Sequence, residues 1–297
     1  MNKNAFGLLL LILLLCGGVA MAKPRGQAAK SGFTMWQIPN MNIGNSYVFR
    51  TDKGKVVVMD GGLPGESQFL RGFIAALGNE VEAWFISHPH DDHMGALWTI
   101  LKDRQGMKIN RIYHSRFSPE KVESEHPYNE YARDFYAILD TVSIPVTDIR
   151  EPGLQGSIDG FNYKILGVVN EEFNTDGVYN NSSMVIKVWD GRKSILFLGD
   201  TEAQSCMKLL DGPYRNDLNC DYVQVAHHGQ HGCTEQFYKA IKFKGCLWST
   251  PRWVWTNDQG GGYDTGNLET MHTRRWMDEI GIKEHHVSCE EGLFRLD

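Results

Sequence analysis

The chain has 297 residues, of which 42% are hydrophobic and 22% are charged, and its formal net charge is −6. This composition is typical of a globular protein and excludes disordered, collagen-like and disulfide-dense classes. The acidic balance gives no overall electrostatic reason to bind polyanions, so we expect no extensive nucleic-acid surface, and any such contact would be local to one cleft.

The N-terminus has the pattern of a secretory signal peptide. Residues 1–22 combine Lys3, an apolar run over residues 8–15 and an Ala-x-Ala pattern that ends at Ala22. The apolar run is shorter than the ~20 residues that a membrane span needs; an uncleaved membrane anchor and a lipoprotein signal are the alternatives. We therefore expect cleavage after Ala22, a single mature domain over residues 23–297, and a secreted or periplasmic protein without membrane attachment.

Cleavage at this point would leave an odd number of cysteines. They are Cys206, Cys220, Cys233, Cys246 and Cys289. At least one thiol would then be unpaired, and the absence of a Cys-x-x-Cys pair argues against a thiolate zinc site. One or two disulfides are compatible with this number, and each cysteine equally fits a small buried residue.

Strand and helix patterns alternate along the rest of the chain. Strands are predicted over residues 35–38, 46–50, 55–59, 81–86, 111–114, 161–168, 183–189, 194–198, 222–226, 246–250 and 293–296. Helices are predicted over residues 66–77, 97–102, 128–139, 202–210, 235–241 and 268–280. No Pro- or Ser-rich linker interrupts this alternation, which favours a single α/β domain.

A dense group of metal-binding residue types follows the predicted strand 81–86. Residues 88–93 read His-Pro-His-Asp-Asp-His, which is a His-x-His-x-Asp-His arrangement. Imidazole nitrogens and carboxylate oxygens are ligands of zinc and its neighbours, and this spacing on a turn would let one loop bind two ions. Pro89 would stiffen the turn, and Gly95 would let the following helix approach closely. The alternative is a polar surface loop.

Further candidate ligands stand directly after other apolar strands. Asp60 ends one strand, Asp200 ends another, and His227 and His228 end a third. In α/β sheets, ligand sites gather at the carboxyl ends of strands. Each aspartate alone is typical of an ordinary turn, but their occurrence together with the His-x-His-x-Asp-His arrangement predicts a metal site.

Together these motifs resemble the metallo-β-lactamase superfamily over nearly the whole mature chain. They are Asp60-Gly61-Gly62, His88-Pro89-His90-Asp91-Asp92-His93, Gly199-Asp200 and His227-His228-Gly229, in family order. The resemblance implies an α/β fold of four layers, an αββα sandwich in which two mixed β-sheets are flanked by helices. It also implies a two-metal site at one sheet edge.

The resemblance assigns roles to these residues. Metal 1 would be held by His88 and His90, metal 2 by Asp92, His93 and His227, and both by the bridging Asp200. Asp60 would not bind metal but would hydrogen-bond a ligand histidine and orient its ring. Asp92 would in addition orient the nucleophile.

One family ligand is absent from this chain. Many members of the superfamily carry a further metal-1 histidine before the bridging aspartate, but residues 127–226 contain no histidine. The segment Asn180-Asn181-Ser182-Ser183 stands there instead, and it is similar to the hydrolase domain of the bacterial DNA-uptake competence proteins. Their relatives include phosphodiester-directed and phosphorylcholine-esterase-like enzymes. A carbonyl oxygen from Asn180 or Asn181 would make the metal-1 site richer in oxygen ligands, and such a site accepts manganese more readily. Alternatively, the two asparagines are ordinary turn residues before a strand, or part of a glycosylation sequon.

Two divalent ions, zinc above all and manganese as the alternative, would define the chemistry. Between them a bridging water becomes hydroxide near neutral pH and attacks phosphorus or a carbonyl carbon. His228, His231 and Tyr263 are candidate proton donors to the leaving group. We expect an exported hydrolase of phosphodiester or related ester bonds, acting on a small-molecule or phosphoester substrate. The alternatives are a lactonase or β-lactamase-type hydrolase and a non-catalytic metal-stabilised binding protein; the oligomeric state is not determined.

The last predicted strand leads into an aromatic, glycine-rich segment. Residues 248–255 contain three tryptophans, and residues 256–263 end in Gly260-Gly261-Gly262-Tyr263. Such a loop would cover a pocket and stack a base, a sugar or a choline group. The alternative is that the tryptophans belong to the core. Arg252, Arg274 and Arg275 are candidates to neutralise a phosphate.

Overall fold

The computed structural model describes residues 31–40 and 42–297, so the predicted signal peptide lies outside the described residues. The strands are β1 (Phe33–Gln37), β2 (Ser46–Thr51), β3 (Val56–Asp60), β4 (Glu80–Val81), β5 (Ala83–Phe85), β6 (Lys108–Ile109), β7 (Ile112–His114), β8 (Val146–Asp148), β9 (Gln155–Ile158), β10 (Phe161–Gly167), β11 (Val185–Trp189), β12 (Ser194–Phe197), β13 (Tyr222–Gln224), β14 (Gly245–Trp248), β15 (Glu284–Val287) and β16 (Phe294–Leu296). The helices are α1 (Ser67–Ala76), α2 (Asp91–Lys102), α3 (Pro119–Val122), α4 (Tyr128–Leu139), α5 (Ala203–Asp211), α6 (Glu235–Ala240), α7 (Arg252–Trp255), α8 (Thr270–Glu279) and α9 (Ser288–Glu291).

Most strands belong to two mixed sheets. The first has the order β16-β1-β2-β3-β5-β7-β8 and the second the order β15-β14-β13-β12-β11-β10-β9. Strands β3, β5, β7 and β8 are parallel to one another, as are β12, β13, β14 and β15. The remaining pairs within the two sheets are antiparallel, and β4 and β6 form a small separate pair.

Alternating side chains of the strands fill different layers of the core. In β3, Val57 and Met59 face the core between the sheets, while Val56 and Val58 face a second core under α1, α2 and α4. Side chains of strand β12 and of the residue after it likewise alternate between the core between the sheets and a third core under α5, α6 and α8. This period of two places helices on the outer face of each sheet. The predicted αββα sandwich is therefore confirmed.

The strand directions bring several chain segments to one edge. Strands β3 and β5 run parallel in the first sheet, and β12, β13 and β14 run parallel in the second, so their carboxyl ends lie together within each sheet. Strand β11 is antiparallel to β12, and the residues that precede β11 therefore reach the same edge as the residues that follow β12.

The helix after the first motif begins earlier than predicted. It starts at Asp91 rather than near residue 97, so that Asp91, Asp92 and His93 form its first turn instead of a loop. Two carboxylates at a helix N-terminus interact favourably with the helix dipole, which accounts for this early start. Gly95 lies against the turn at Pro64, where an added Cβ would come within 2.4 Å of the proline Cδ.

One disulfide links the second sheet's helical layer to a strand-end loop. It joins Cys206 in α5 to Cys233, with 5.6 Å between their Cα atoms, while Cys220, Cys246 and Cys289 are free. None of the helices within residues 31–40 and 42–297 is sufficiently long and apolar to cross a bilayer.

Candidate metal centre

Four side chains from three segments converge at the shared sheet edge. They are Asp92 and His93 in the first turn of α2, Asp200 after β12, and His228 after β13, and their ligand atoms all lie within 4.8 Å of one another. The Nε2 atom of His93 lies 3.1 Å from Oδ1 of Asp200. The Nε2 atom of His228 lies 3.1 Å from Oδ2 of Asp92 and 3.4 Å from Oδ2 of Asp200.

This four-residue cluster fits a divalent metal ion. The Nε2 atom of His93 and the Oδ1 atom of Asp200 are buried and lie 3.1 Å apart, but their contact lacks hydrogen-bond geometry, so neither atom has a hydrogen-bond partner, which is rare for buried polar atoms. Two imidazoles with two carboxylates form a donor set that zinc and similar ions accept. A cation at this place would satisfy both orphaned atoms and neutralise the two carboxylates.

Without a cation, protonated histidines balance the carboxylates. Burial lowers the pKa of His228, but Asp200 and Asp92 outweigh burial and raise it to about 10. Burial likewise raises the pKa of Asp200, but His93 and His228 outweigh this effect and hold it well below its usual range. The pKa of His93 is raised well above its usual value by Asp200, Asp92 and Asp60 against the opposing effect of burial. Metal binding must therefore displace protons.

Asp60 holds the ring of His93. Its Oδ2 atom accepts hydrogen bonds from Nδ1 of His93 at 2.8 Å, from Nδ2 of Asn45 at 2.8 Å and from the hydroxyl of Ser87 at 2.9 Å. Its Oδ1 atom accepts the backbone N–H of Ser87 at 2.7 Å. Because Nδ1 of His93 is engaged with Asp60, Nε2 is the nitrogen that faces Asp200.

His88 and His90 form a second pair of imidazoles next to the cluster. Nε2 of His88 lies 3.0 Å from Nδ1 of His90. The other nitrogen of His88 contacts the hydroxyls of Ser87 and Ser183 at 3.1 and 3.2 Å. Burial, followed by the neighbouring His93 and His90, lowers the pKa of His88 well below its usual value. The pair thus presents two buried nitrogens that face each other, an arrangement suited to a shared metal ion.

Glu125 orients His90 and was not found by sequence reasoning. Its Oε2 atom lies 3.0 Å from Nε2 of His90, and its Oε1 atom accepts the backbone N–H of Tyr179 at 2.8 Å. Burial raises the pKa of Glu125, but the hydrogen bond and charge of His90 together with backbone hydrogen bonds from residues 178 and 179 outweigh burial and lower it. A single glutamate in a polar segment before Pro127 carries no motif that would have marked it.

The structure places His228, and not His227, in the four-residue cluster. His228 is buried, and its Nδ1 atom donates to the carbonyl oxygen of Ser249 at 2.8 Å. The His227 side chain is 15% exposed; its Nε2 atom lies 3.8 Å from Oδ2 of Asp200 and its Nδ1 atom 3.3 Å from Oε1 of Glu202. His227 therefore lies at the border of this cluster, and its expected role at metal 2 stays a prediction. Glu202, like Glu125, lies outside every motif in the sequence.

The two asparagines that replace the family's additional histidine have different surroundings. Asn181 is fully engaged, since its Oδ1 atom accepts the backbone N–H of Ser205 and its carbonyl oxygen accepts Nδ2 of Asn170. Asn180 donates through Nδ2 to Glu202 at 2.9 Å, but its Oδ1 atom is buried without a partner. Nδ2 of Asn180 also lies 3.5 Å from Nε2 of His227, which places Asn180 at the border of the site.

Two of the three tryptophans in residues 248–255 belong to the hydrophobic core. Trp248 is fully buried, and Trp255 is buried with the guanidinium of Arg274 3.8 Å from its ring centroid. Arg252 pairs with Glu290 at 3.4 Å. Tyr263 is 64% exposed, and within the part of the chain that the structure describes its ring does not pack against any histidine of the cluster.

The ring of His231 lies 6.3 Å from that of His227 and thus at the outer side of the site. Of the three predicted proton donors, His228 has both nitrogens engaged, one with Ser249 and the other with the cluster carboxylates. His231 is exposed.

A four-layer sandwich with buried imidazoles and carboxylates at one sheet edge defines a metal-binding class of α/β proteins. The family model of the metallo-beta-lactamase superfamily matches residues 40–278. The chain therefore belongs to the metallo-β-lactamase superfamily, whose members are mostly metal-dependent hydrolases, and the predicted family membership is confirmed.

The chain is also similar to individual proteins. Recombination protein 2 of Haemophilus influenzae is 25% identical over 251 residues, which cover 82% of this chain and 27% of that protein. The uncharacterized protein YcaI of Escherichia coli is 28% identical over 226 residues, which cover 74% of this chain and 25% of YcaI. The chain thus spans about a quarter of the length of both relatives.

Among solved structures, the metallo-beta-lactamase fold protein YhfI of Bacillus subtilis superposes with a TM-score of 0.54. The two chains are 11% identical, and the superposition covers 89% of this chain and all of YhfI. This likeness concerns the fold.

Proposed function

We propose that this protein is an exported, metal-dependent hydrolase that holds two divalent ions and cleaves phosphodiester or related ester bonds. The observation that carries the proposal is the cluster of Asp92, His93, Asp200 and His228, whose buried His93 and Asp200 atoms lack partners. Membership of a superfamily of metal-dependent hydrolases supports it.

In this proposal each ion has its own nitrogen ligands. Nε2 of His88 and Nδ1 of His90 would hold the first ion, Asp92, His93 and His228 would hold the second, and Asp200 would serve both. His228 takes the place first expected for His227, because it is the buried histidine whose Nε2 faces Asp92 and Asp200. The Oδ1 atom of Asn180, which has no hydrogen-bond partner, would add an oxygen at the border of the centre, so the site would accept manganese as well as zinc.

The chain's own residues set up the reaction. Bound ions would lower the pKa of an attacking water and polarise the scissile ester. The Oδ2 atom of Asp92 lies 3.1 Å from Nε2 of His228, so both side chains would reach the same ion, and Asp92 would in addition orient the attacking water. Asp60 and Glu125 fix the rings of His93 and His90, so that little reorganisation is needed during the reaction.

The charges at the centre favour a phosphodiester. Two divalent ions carry four positive charges, of which the carboxylates of Asp92 and Asp200 neutralise two. A diester monoanion together with an attacking water that has lost a proton would balance the remaining two. A phosphate monoester dianion would bring one negative charge in excess next to these two carboxylates.

Export is supported by the cysteine chemistry. The Cys206–Cys233 disulfide joins two buried cysteines, and structural disulfides persist mainly in oxidising compartments. Together with the N-terminal pattern of residues 1–22, it supports a secreted or periplasmic location.

The test uses purified full-length protein, stripped of metal and reloaded with zinc or manganese. We expect two ions per chain and hydrolysis of bis-p-nitrophenyl phosphate, and we expect His90→Ala and Asp200→Ala to reduce the rate at least about 100-fold. His272→Ala, an exposed histidine on α8, is the matched control. Turnover of lactones or β-lactams alone would replace the proposed substrate class. No turnover of any ester, with fewer than two ions bound, would overturn the hydrolase proposal in favour of a binding protein.

A further inference from the structure

We infer that Tyr128 is a substrate-binding platform next to the metal centre, and that the ester substrate carries an uncharged aryl or heteroaryl group that stacks on this ring. The inference rests on the proposed hydrolase function and adds to it the class of group attached to the ester. Tyr128 was not singled out by any sequence motif.

Helix packing places Tyr128 at the centre. Tyr128 is the first residue of α4, and α4 packs against α2, whose first turn carries Asp91, Asp92 and His93. The ring centroids of Tyr128 and His90 are 4.5 Å apart. Partial burial and the nearby carboxylates of Asp91 and Asp92 raise the pKa of Tyr128, in agreement with a position beside that turn.

Tyr128 differs from the other tyrosine that contacts His90. Tyr179 lies 5.2 Å from the His90 ring, is fully buried and donates its hydroxyl to the carbonyl oxygen of Val122, so its contacts are those of a core residue. Tyr128 is 41% exposed. It is therefore the aromatic surface that a molecule bound at the His88 and His90 pair meets at the solvent side.

The charges around Tyr128 select the kind of group that would stack there. Asp91 and Asp92 disfavour a second anionic group at this place, and the two proposed metal ions beyond His90 disfavour a cation. An uncharged aromatic ring meets neither penalty. Stacking of a base on an aromatic side chain strengthens binding by about fivefold to 150-fold.

The experiment compares two phosphonates, of which one carries an aromatic group and the other a methyl group. Metal-loaded wild-type protein is titrated by calorimetry with the monomethyl esters of phenylphosphonate and methylphosphonate, which are monoanions like a phosphodiester, and we expect the phenyl compound to bind at least about fivefold more tightly. Tyr128→Ala should reduce this ratio to near unity, and Tyr128→Phe should keep it within about twofold of wild type. Tyr131→Ala is the matched control, since Tyr131 lies on the same helix, is 37% exposed and contacts Trp98 instead.

Several outcomes would overturn the inference. One is an unchanged ratio in Tyr128→Ala, and another is an equal weakening of both phosphonates with a lower metal content, which would make Tyr128 a support of His90 only. Phosphocholine could instead bind more tightly than the phenylphosphonate ester and lose this advantage in Tyr128→Ala. Tyr128 would then bind a cationic group and not an uncharged aromatic ring. Because binding is measured without turnover, a protein that hydrolyses no ester but keeps the Tyr128-dependent ratio would overturn the proposed function alone.

Discussion

The imidazole of His90 has two nitrogens, and its neighbours decide which one faces the centre. Glu125 engages Nε2, and Nδ1 is left to face His88. Asp60 does the same for His93, where it engages Nδ1 and leaves Nε2 to face Asp200. Two buried or half-buried carboxylates, neither in contact with the other, thus set the geometry of both proposed ion positions.

Replacement of Glu125 by glutamine should weaken metal binding. An amide at this position keeps the volume but no longer offers a charged acceptor to His90, so the ring loses its fixed orientation. We expect Glu125→Gln to reduce the affinity for the first ion by about 10-fold to 100-fold. Competition with a chromogenic chelator measures the affinity of each ion.

Glu123→Gln is the control for this change, because Glu123 is a nearby exposed carboxylate that pairs with Arg133. It should leave both affinities unchanged. A Glu125→Gln protein with wild-type affinity for both ions would show that Glu125 does not orient His90.

At the scale of elements, the turn after β13 selects between two adjacent histidines. His227, His228 and Gly229 have φ values of 51°, 53° and 84°, all in the left-handed region. For the two histidines this conformation costs about 1 kcal/mol or more each. Thr250 donates to the carbonyl oxygen of His228 at 2.7 Å, and an added Cβ on Gly229 would lie 2.5 Å from the ring of Trp248. These contacts hold His228 inside the centre and leave His227 at its border.

The disulfide ties this turn to α5, the helix that follows Asp200. Cys206 and Cys233 are separated by 27 residues in sequence. From the loop entropy of the unfolded chain, we expect the Cys206→Ser, Cys233→Ser double variant to lose roughly 3 kcal/mol of unfolding free energy. Urea denaturation of the metal-free proteins measures the difference.

Cys289→Ser, which replaces a free cysteine, should be close to wild type. A reductant should lower the unfolding free energy of the wild type but leave that of the double variant unchanged. Equal stability of the double variant and wild type would contradict a stabilising role of this bond.

At the scale of the whole molecule, the centre couples stability to pH. In the metal-free protein the pKa of His228 is about 10, against an ordinary value of 6.5. A raised pKa in the folded state means that the contribution of this group is complete below pH 6.5 and is lost as the pH rises through about 10. The lowered pKa of Asp200 acts at the other end, since its contribution is present above its ordinary value of 3.8 and is lost as the pH falls below it.

We therefore expect the metal-free protein to lose stability as the pH rises from 6.5 toward 10. The metal-loaded protein should not show this loss, because the ion replaces the protons of the histidines and binds more tightly as the pH rises. Chemical denaturation with chelator or with zinc, from about pH 6 to about pH 9, measures both curves. A metal-free protein that gains stability over this range would contradict the proposed coupling.

The comparison of sequence and structure separates local from long-range information. The predicted strands over residues 46–50, 55–59 and 194–198 agree with β2, β3 and β12 to within one residue at each end, because alternation of buried residues is a local signal. Strands β8 and β9 were not predicted, since these short edge strands carry few buried side chains. The long run over residues 81–86 was predicted as one strand but divides into β4 and β5, which pair with different partners.

The metal-binding residue types could be predicted from the sequence because they follow apolar strands at fixed positions, and so could their family. Which nitrogen of each histidine faces the centre, and which of two neighbouring histidines enters it, depended on the tertiary structure. Glu125 and Tyr128 come near His90 only because α4 packs on α2, and the choice of His228 over His227 results from three left-handed residues held by Ser249 and Thr250. Such contacts join residues far apart in the chain, and no local pattern records them.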